Sequence, residues 1–282
     1  MIVSAPASSA NLGPGFDCLA LALDLPFRLA VGAAAPEGFH AAEETHPAAV
    51  AFRAAGGDPS QPLWWHSPIP PGRGLGFSGA ARVAGAYLAG RRDGLDHDDA
   101  RDGALVVATD LEGHADNAAA SAYGGFTVAA ADRVLRLEVP EGLRVLVWSP
   151  RRSTSTDASR RGLPRRVDLE DAAFSVGRAA LWVAAMATGD LSVLRDACED
   201  RLHQDARLAQ RPDSAAVRAL LLDRPEVVAA WLSGSGPSVA ALVPAEGAEL
   251  VTAALPEGGE VRVLPVDPAG VGPDGSSATT EI

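Results

Sequence analysis

Pro70-Pro71-Gly72-Arg73-Gly74-Leu75-Gly76-Phe77-Ser78-Gly79-Ala80-Ala81 is the stretch around which the chain is organised. Its two prolines halt the segment before it. Gly72, Gly74 and Gly76 then permit backbone angles closed to other residues and let a ligand approach the main chain. From Ser78 the composition turns to small helix formers and predicts a helix as far as Gly90. A glycine-rich turn that opens a helix presents unpaired N–H groups and the positive end of the helix dipole, a site for anions and most often for phosphate. Alone, such a turn is more often an ordinary joint between a strand and a buried helix, so the rest of the chain has to decide.

The 282 residues suffice for one large domain or two ordinary ones. Hydrophobic residues make up 47% and charged residues 21%, the balance of a soluble globular protein. Aromatics are only 5%, which leaves alanine and glycine to do much of the packing. No apolar run approaches the ~20 residues that span a bilayer, and no basic, then apolar, secretory leader is apparent. Cys18 and Cys198 are the only cysteines, which excludes a disulfide framework and fits a reducing, cytoplasmic setting. A net charge of −12 argues against nonspecific nucleic-acid binding, which works by neutralising phosphates.

All 24 basic residues are arginine. Without lysine the glycine loop is no Walker A loop. Nor is the chain a protein kinase with a strand lysine, or a pyridoxal-phosphate enzyme with its Schiff base. Phosphate must be handled by backbone amides, arginine or metal.

Ile2-Val3-Ser4 begins a strand, and Ala5–Asp17, small and broken by Gly and Pro, reads as a structured loop with Asn11 and Asp17 beside its turn. Such residues often serve only their own turn. Cys18–Val31 reads as two strands about a turn, 48–55 as a short helix, and Leu63–Ser67 as a strand entering the glycine loop. The acids at Asp96, Asp98 and Asp99 suit a helix start, with the helix reaching about Leu111. Asp110-Leu111-Glu112-Gly113-His114-Ala115-Asp116-Asn117 follows, either a solvated turn or a site. Asp110 and Glu112 are oxygen donors of the kind that serve Mg²⁺ beside phosphates. Apolar strands follow to Trp148.

Ser149-Pro150 reads as a domain boundary, giving an N-terminal unit 1–149, a C-terminal unit 150–267 and a frayed tail 268–282. The loop Arg151–Arg161, rich in hydroxyls and arginine, suits phosphate or carboxylate, or plain solvent. Beyond it the pattern is helices packed on one side of a small antiparallel sheet, with Leu232-Ser233-Gly234-Ser235-Gly236-Pro237-Ser238 turning between two strands.

Together these stretches resemble the homoserine kinases of the galactokinase, homoserine kinase, mevalonate kinase and phosphomevalonate kinase superfamily. Pro6–Asp17 is similar to that family's opening motif, Pro70–Ala81 to the superfamily's ATP loop, and Leu232–Ser238 to its third motif. Glu112–Asn117 with Gly124-Gly125-Phe126, and Asp200-Arg201-Leu202-His203-Gln204 with Arg207, resemble signatures of homoserine kinases in particular. The resemblance runs from Ala5 to Val243.

It implies an α+β architecture, a ribosomal-S5-domain-2-like N-terminal domain and a ferredoxin-like C-terminal domain with the site between them. It implies transfer of the ATP γ-phosphoryl group to the side-chain hydroxyl of L-homoserine, on the route to threonine, and often a homodimer. Asn11, Asp17 and Asn117 would hold the amino acid and its hydroxyl. Arg160 and Arg207 would clamp its carboxylate, where a fork of donors suits better than an ammonium. Pro71, Gly72, Arg73, Gly74, Leu75, Gly76, Phe77, Ser78, Gly79 and Ala80 would hold ATP, Ser78 and Asp110 would ligate Mg²⁺, and Thr156 would lie near the γ-phosphate. Asn117, Thr156 and Arg160 would be the catalytic group, with His114 and Asp116 structural.

Three departures fall on the nucleotide side. Phe77-Ser78-Gly79 stands where the family usually has Ser-Ser-Ala, Asp110 where it has glutamate, and Ala49-Val50 where an asparagine-leucine pair usually lies near adenine. They leave two alternatives open: a kinase for another small hydroxylated substrate, and a non-catalytic amino-acid-binding homologue.

Overall fold

The computed structural model describes residues 1–130, 133–151 and 156–275, with backbone only for 156–158. The chain opens with β1 (Ile2–Asn11) and β2 (Gly15–Val31), antiparallel from Ile2↔Ala30 to Asn11↔Gly15, with irregularities at Pro6/Ala7 and Ala10/Asn11. Most of the expected Ala5–Asp17 loop is therefore strand. Its alanines and serines are buried on both faces, so the alternation that marks a half-buried strand is missing. The true turn is short, and Asn11, Leu12 and Asp17 all take positive φ.

β3 (His40–Ala41), α1 (Pro47–Ala54) and β4 (Leu63–His66) lead to the glycine loop and α2 (Phe77–Arg92), followed by α3 (His97–Glu112), α4 (Asp116–Tyr123), β5 (Phe126–Ala130) and β6 (Arg133–Leu137). The first sheet runs β11-β1-β2-β4-β3, with β5 pairing β2 and β6 pairing β5; β11 (Gly272–Pro273) comes from the end of the chain. Helix α2 is central, with Gly79–Ala81 and Val83–Gly90 buried. Its small residues let α1 lie against it: a Cβ on Gly85 would sit 2.2 Å from the Ala48 carbonyl oxygen.

The second sheet is built from β7 (Leu143–Pro150), β8 (Ala229–Leu232), β9 (Val239–Pro244) and β10 (Gly259–Leu264) in the order β10-β7-β9-β8. Counted within itself that is 4-1-3-2, the split βαβ arrangement. Between β7 and β8 lie α5 (Thr156–Arg161), α6 (Leu169–Thr188), α7 (Leu194–Ala197), α8 (Gln204–Leu208) and α9 (Pro212–Leu222); α10 (Ala248–Ala253) joins β9 to β10. The α+β reading holds.

Two boundaries differ from the sequence reading. β7 pairs with β9 and β10, so the change of sheet falls before Leu143 rather than at Ser149-Pro150. The segment 268–275 is not a free tail: Val271 is buried, β11 pairs with β1, and Asp274 approaches Arg28 at 3.4 Å. One apolar cluster takes in Leu21 and Phe126 from the first sheet and Val145, Trp182 and Trp231 from the second, so the two halves share a core.

Candidate active site

The glycine loop, the β1–β2 turn, the α3–α4 junction, Arg160, Arg207 and the Gly234-Ser235 turn line one cavity of about 370 Å³. At one end stands the loop. Gly76 caps α2 with φ 67°, and a Cβ there would lie 2.0 Å from Ser8 Oγ, so only glycine fits. The loop is pinned from behind: Ser233 Oγ donates to the Gly74 carbonyl at 2.6 Å and pairs with Ser9 Oγ at 2.7 Å, and Ser8 N–H donates to the Leu75 carbonyl. The first amides of α2 have no intrahelical acceptor, and Gly76, Phe77, Ser78 and Gly79 at that helix start line the cavity. An arrangement of this kind suits an anion.

At the other end are the groups expected to hold an amino acid. Asn11 spans its own turn: its Nδ2 donates to the Gly234 carbonyl at 2.9 Å and its Oδ1 accepts the Asp17 amide at 3.0 Å. Arg160 donates to both carboxylate oxygens of Asp17, at 2.8 and 2.7 Å. Arg207, 3% exposed, donates from Nη1 to His203 Nδ1 at 3.0 Å and to the Gly234 carbonyl at 3.1 Å. The Phe16 ring lies under both guanidinium groups, 5.3 Å from Arg160 and 5.4 Å from Arg207. Burial, and then the neighbouring Arg160 charge, bring Arg207 down to about 10, still protonated at neutral pH.

The Asp200–Gln204 motif is scaffolding for Arg207. The Asp200 carboxylate accepts the amides of Leu202, His203 and Gln204 at 2.7–2.9 Å and starts α8. Gln204 Oε1 accepts the Leu232 amide, fastening α8 to β8. His203 Nε2 reaches the Gly13 carbonyl at 2.7 Å, so the imidazole carries its proton on Nε2 and accepts Arg207 on Nδ1. Burial, against the pull of Asp200, lowers its pKa to about 4.

Between the two ends lies Asn117, whose Oδ1 accepts Ser8 Oγ at 2.9 Å. Buried Asp116 accepts the Asn117 amide at 2.8 Å and shares a 2.7 Å hydrogen bond with His114 Nδ1. Burial disfavours a charged His114, but the Asp116 bond and the charges of Asp116, Glu112 and Asp17 outweigh it and raise its pKa. His114 and Asp116 thus brace the α4 start on which Asn117 rides.

The expected metal pair does not form. Asp110 is exposed on α3 and does not line the cavity. Glu112 does, because carboxylates two residues apart on a helix point to nearly opposite sides. Ser78 lines the cavity too, but its Oγ and Glu112 Oε1 are both bound by Nη1 of Arg82. Arg82 was not expected, although it lies one helical turn past Ser78, the spacing that stacks side chains on one face. Among the expected ATP residues, Pro71, Arg73 and Ala80 do not line the cavity. Arg73 turns to the carbonyls of Pro150 and Arg151, and Ala80 is buried in the core. Thr156 begins α5, but its side chain lies outside the described residues. Phe77 packs edge-on against Phe27 at 5.6 Å and Trp65 at 5.7 Å.

Residues 42–125 match the GHMP kinases N terminal domain and residues 182–261 the GHMP kinases C terminal model. The chain is 40% identical over 251 residues to the homoserine kinase of Thermus thermophilus, covering 84% of this chain and 85% of that one. It is 38% identical over 290 residues to the homoserine kinase of Streptomyces avermitilis, covering 95% and 93%. The crystal structure of homoserine kinase from Cytophaga hutchinsonii superposes with a TM-score of 0.81 at 26% identity, covering 96% of each chain. A crystal structure of mevalonate kinase shares the fold, with a TM-score of 0.67 at 12% identity over 95% of this chain and 99% of that one. The two family models, the curated relatives at 38–40% identity over most of the chain and the shared fold give the family: the chain belongs to the GHMP kinases, and within them to the homoserine kinases.

Proposed function

We infer that the chain transfers the γ-phosphoryl group of ATP to the side-chain hydroxyl of L-homoserine, giving O-phospho-L-homoserine and ADP on the route to threonine. One observation carries this reading: the Gly76–Gly79 turn at the start of α2 and the Asn11, Asp17, Arg160, Arg207 group line one and the same cavity. In the proposed pose the ATP phosphates lie on the glycine loop. The homoserine carboxylate lies against Arg160 and Arg207, and its hydroxyl near Asp17 and Asn117. The hydroxyl oxygen attacks the γ-phosphorus in line as the bond to the bridging oxygen of ADP breaks, and the hydroxyl proton passes to a phosphoryl oxygen and on to solvent. No side chain is assigned as the base, since a loose phosphoryl-transfer transition state responds mainly to positioning and charge. Arg207 is held from behind by His203 and Gly234, so the Arg207 half of the clamp is preset rather than assembled on binding.

Magnesium accompanies ATP in such kinases, but Ser78 and Glu112 are taken by Arg82 and Asp110 faces solvent, so these three do not fit a protein-held ion; among the described residues the group that could hold one is Asp17, His114 and Asp116, whose ligand atoms lie within 4.8 Å of one another. No helix among the described residues is long and apolar enough to cross a membrane; the cytoplasm is the compartment that suits the reaction.

The test is ADP release from purified protein with Mg-ATP, with and without L-homoserine. Homoserine-dependent release is expected. Faster turnover, by kcat/KM, of another small alcohol would reassign the substrate. Absence of release with homoserine still bound would leave an amino-acid-binding protein.

A further inference from the structure

We propose that Arg82 is a phosphate-binding residue of the nucleotide site, its guanidinium supplying at the Ser78–Glu112 position the positive charge that a protein-held metal would otherwise bring. The inference rests on the kinase reading above.

Four observations carry it. First, one atom, Nη1, touches both Ser78 Oγ and Glu112 Oε1, so the guanidinium stands where an ion shared by those oxygens would have to sit. Second, Arg82 lines the cavity beside Gly76, Phe77 and Ser78, the turn whose amides receive phosphate. Third, the other arginines among the described residues lining this cavity, Arg160 and Arg207, are fixed at the amino-acid end, and Arg73 of the loop bonds the carbonyls of Pro150 and Arg151. With no lysine in the chain, Arg82 is the fixed cation at the phosphate end among the described residues. Fourth, its Nε is buried without a hydrogen-bond partner among the described residues, so the fork is incompletely satisfied as it stands.

Glu112 is then a positioning residue. Its carboxylate is 8% exposed and holds the guanidinium over the loop, while His114 Nε2 lies 4.0 Å from its other oxygen. A buried carboxylate facing triphosphate would repel it. Paired with Arg82, it instead fixes the rotamer of a side chain that lines the cavity beside the Gly76–Gly79 turn. Arginine is the residue type whose planar fork suits phosphate oxygens.

The experiment is calorimetric titration of ADP into the full chain, once with Mg²⁺ and once in excess chelator. Wild-type affinity should change by less than about tenfold between the two, because the protein supplies its own cation. Arg82→Met should weaken ADP binding in chelator by about tenfold or more, the loss of one or more charge-assisted hydrogen bonds, while L-homoserine affinity stays at the wild-type value. Unchanged ADP affinity in chelator, or tighter Mg-ADP binding by the variant, would overturn the proposal and make Arg82 a plug that competes with metal. Should Arg82→Met not fold, Arg82→Gln decides on the same readout, since it too removes the charge: weakening in chelator supports the proposal, and unchanged affinity overturns it. Homoserine-dependent ADP release by the wild-type chain separates the two readings. If release is seen and Arg82 proves indifferent, this inference alone fails; if neither release nor ADP binding is seen, the kinase reading fails.

Discussion

Arg160 lays its two terminal nitrogens on the two carboxylate oxygens of Asp17, at 2.8 and 2.7 Å, across 143 residues of sequence. The contact ties α5, beyond the first strand of the second sheet, to the start of β2 in the first. It is partly open to solvent, with side-chain exposures of 40% and 29%, so its worth as a structural ion pair is small. Its interest lies in the reaction, because both residues are proposed to hold homoserine. If the two act as one device, removing either should disable it and removing both should add little. Asp17→Asn and Arg160→Ala should each lower kcat/KM for homoserine by about a hundredfold or more. The double variant should fall close to the worse single one, a coupling of about 1–3 kcal/mol. Strictly additive losses in steady-state kinetics would mean that the pair belongs to the unliganded protein alone.

Arg207 is placed differently. It is buried and braced by His203 and Gly234. Arg207→Ala should raise the KM for homoserine by about thirtyfold or more while the KM for ATP stays nearly constant, since it removes one charged partner of a carboxylate. Arg207→Lys should not restore it, because an ammonium cannot bond His203 and Gly234 and still present a fork. Equal losses toward both substrates would contradict this placement.

Phe77 stands at the start of α2 in the glycine loop, and its ring meets Phe27, Trp65 and His46 edge-on at 5.6–6.0 Å. The ring therefore extends the aromatic layer beneath the loop. Phe77→Ser should lower stability by about 1–3 kcal/mol, the cost of truncating a partly buried aromatic. The KM for ATP should move less than about threefold, since the amide of residue 77 is unchanged. A large gain in ATP affinity with an unaltered melting temperature would show the ring obstructing the nucleotide.

Much of this was legible in the sequence, for identifiable reasons. Helices α2 and α3 announce themselves by punctuation, prolines and glycines before one and acids before the other. The third motif and the Asp200–Arg207 stretch declare themselves by residue types with few other uses. The β1 strand was hidden because Ala and Ser buried on both faces show no alternation. Sequence alone does not choose Glu112 over Asp110, because the choice depends on helical phase, and two residues on a helix is half a turn's difference in direction. Arg82 reads in sequence as one more surface arginine; only the approach of α3 to α2 gives it Glu112. The return of 268–275 to β1 is set by tertiary pairing, and a Gly- and Pro-rich segment carries no trace of it.

Two histidines near the cavity make opposite contributions to stability with pH. His203 faces Asp200, Arg207, Asp17 and the Gly13 carbonyl, with the Phe16 ring against it. It is held neutral, with its pKa lowered from 6.5 to about 4, so the unfolded chain takes up a proton there more readily than the folded one. Its contribution is present above pH 6.5 and is lost as pH falls toward 4, a loss on the order of a few kcal/mol. His114, bonded to Asp116 and near Glu112 and Asp17, has its pKa raised. Its contribution is complete below the unfolded value of 6.5 and is lost as pH rises through its folded value. Between pH 6.5 and 4 the His203 effect acts while that of His114 is already in place, so the melting temperature should drop through this window. His203→Gln should flatten the drop by removing the titrating group, at some cost in stability at neutral pH, whereas His114→Asn should leave the drop intact. A wild-type melting temperature constant from pH 6.5 to 4, or a drop undiminished in His203→Gln, would show that His203 is not held neutral in the folded protein.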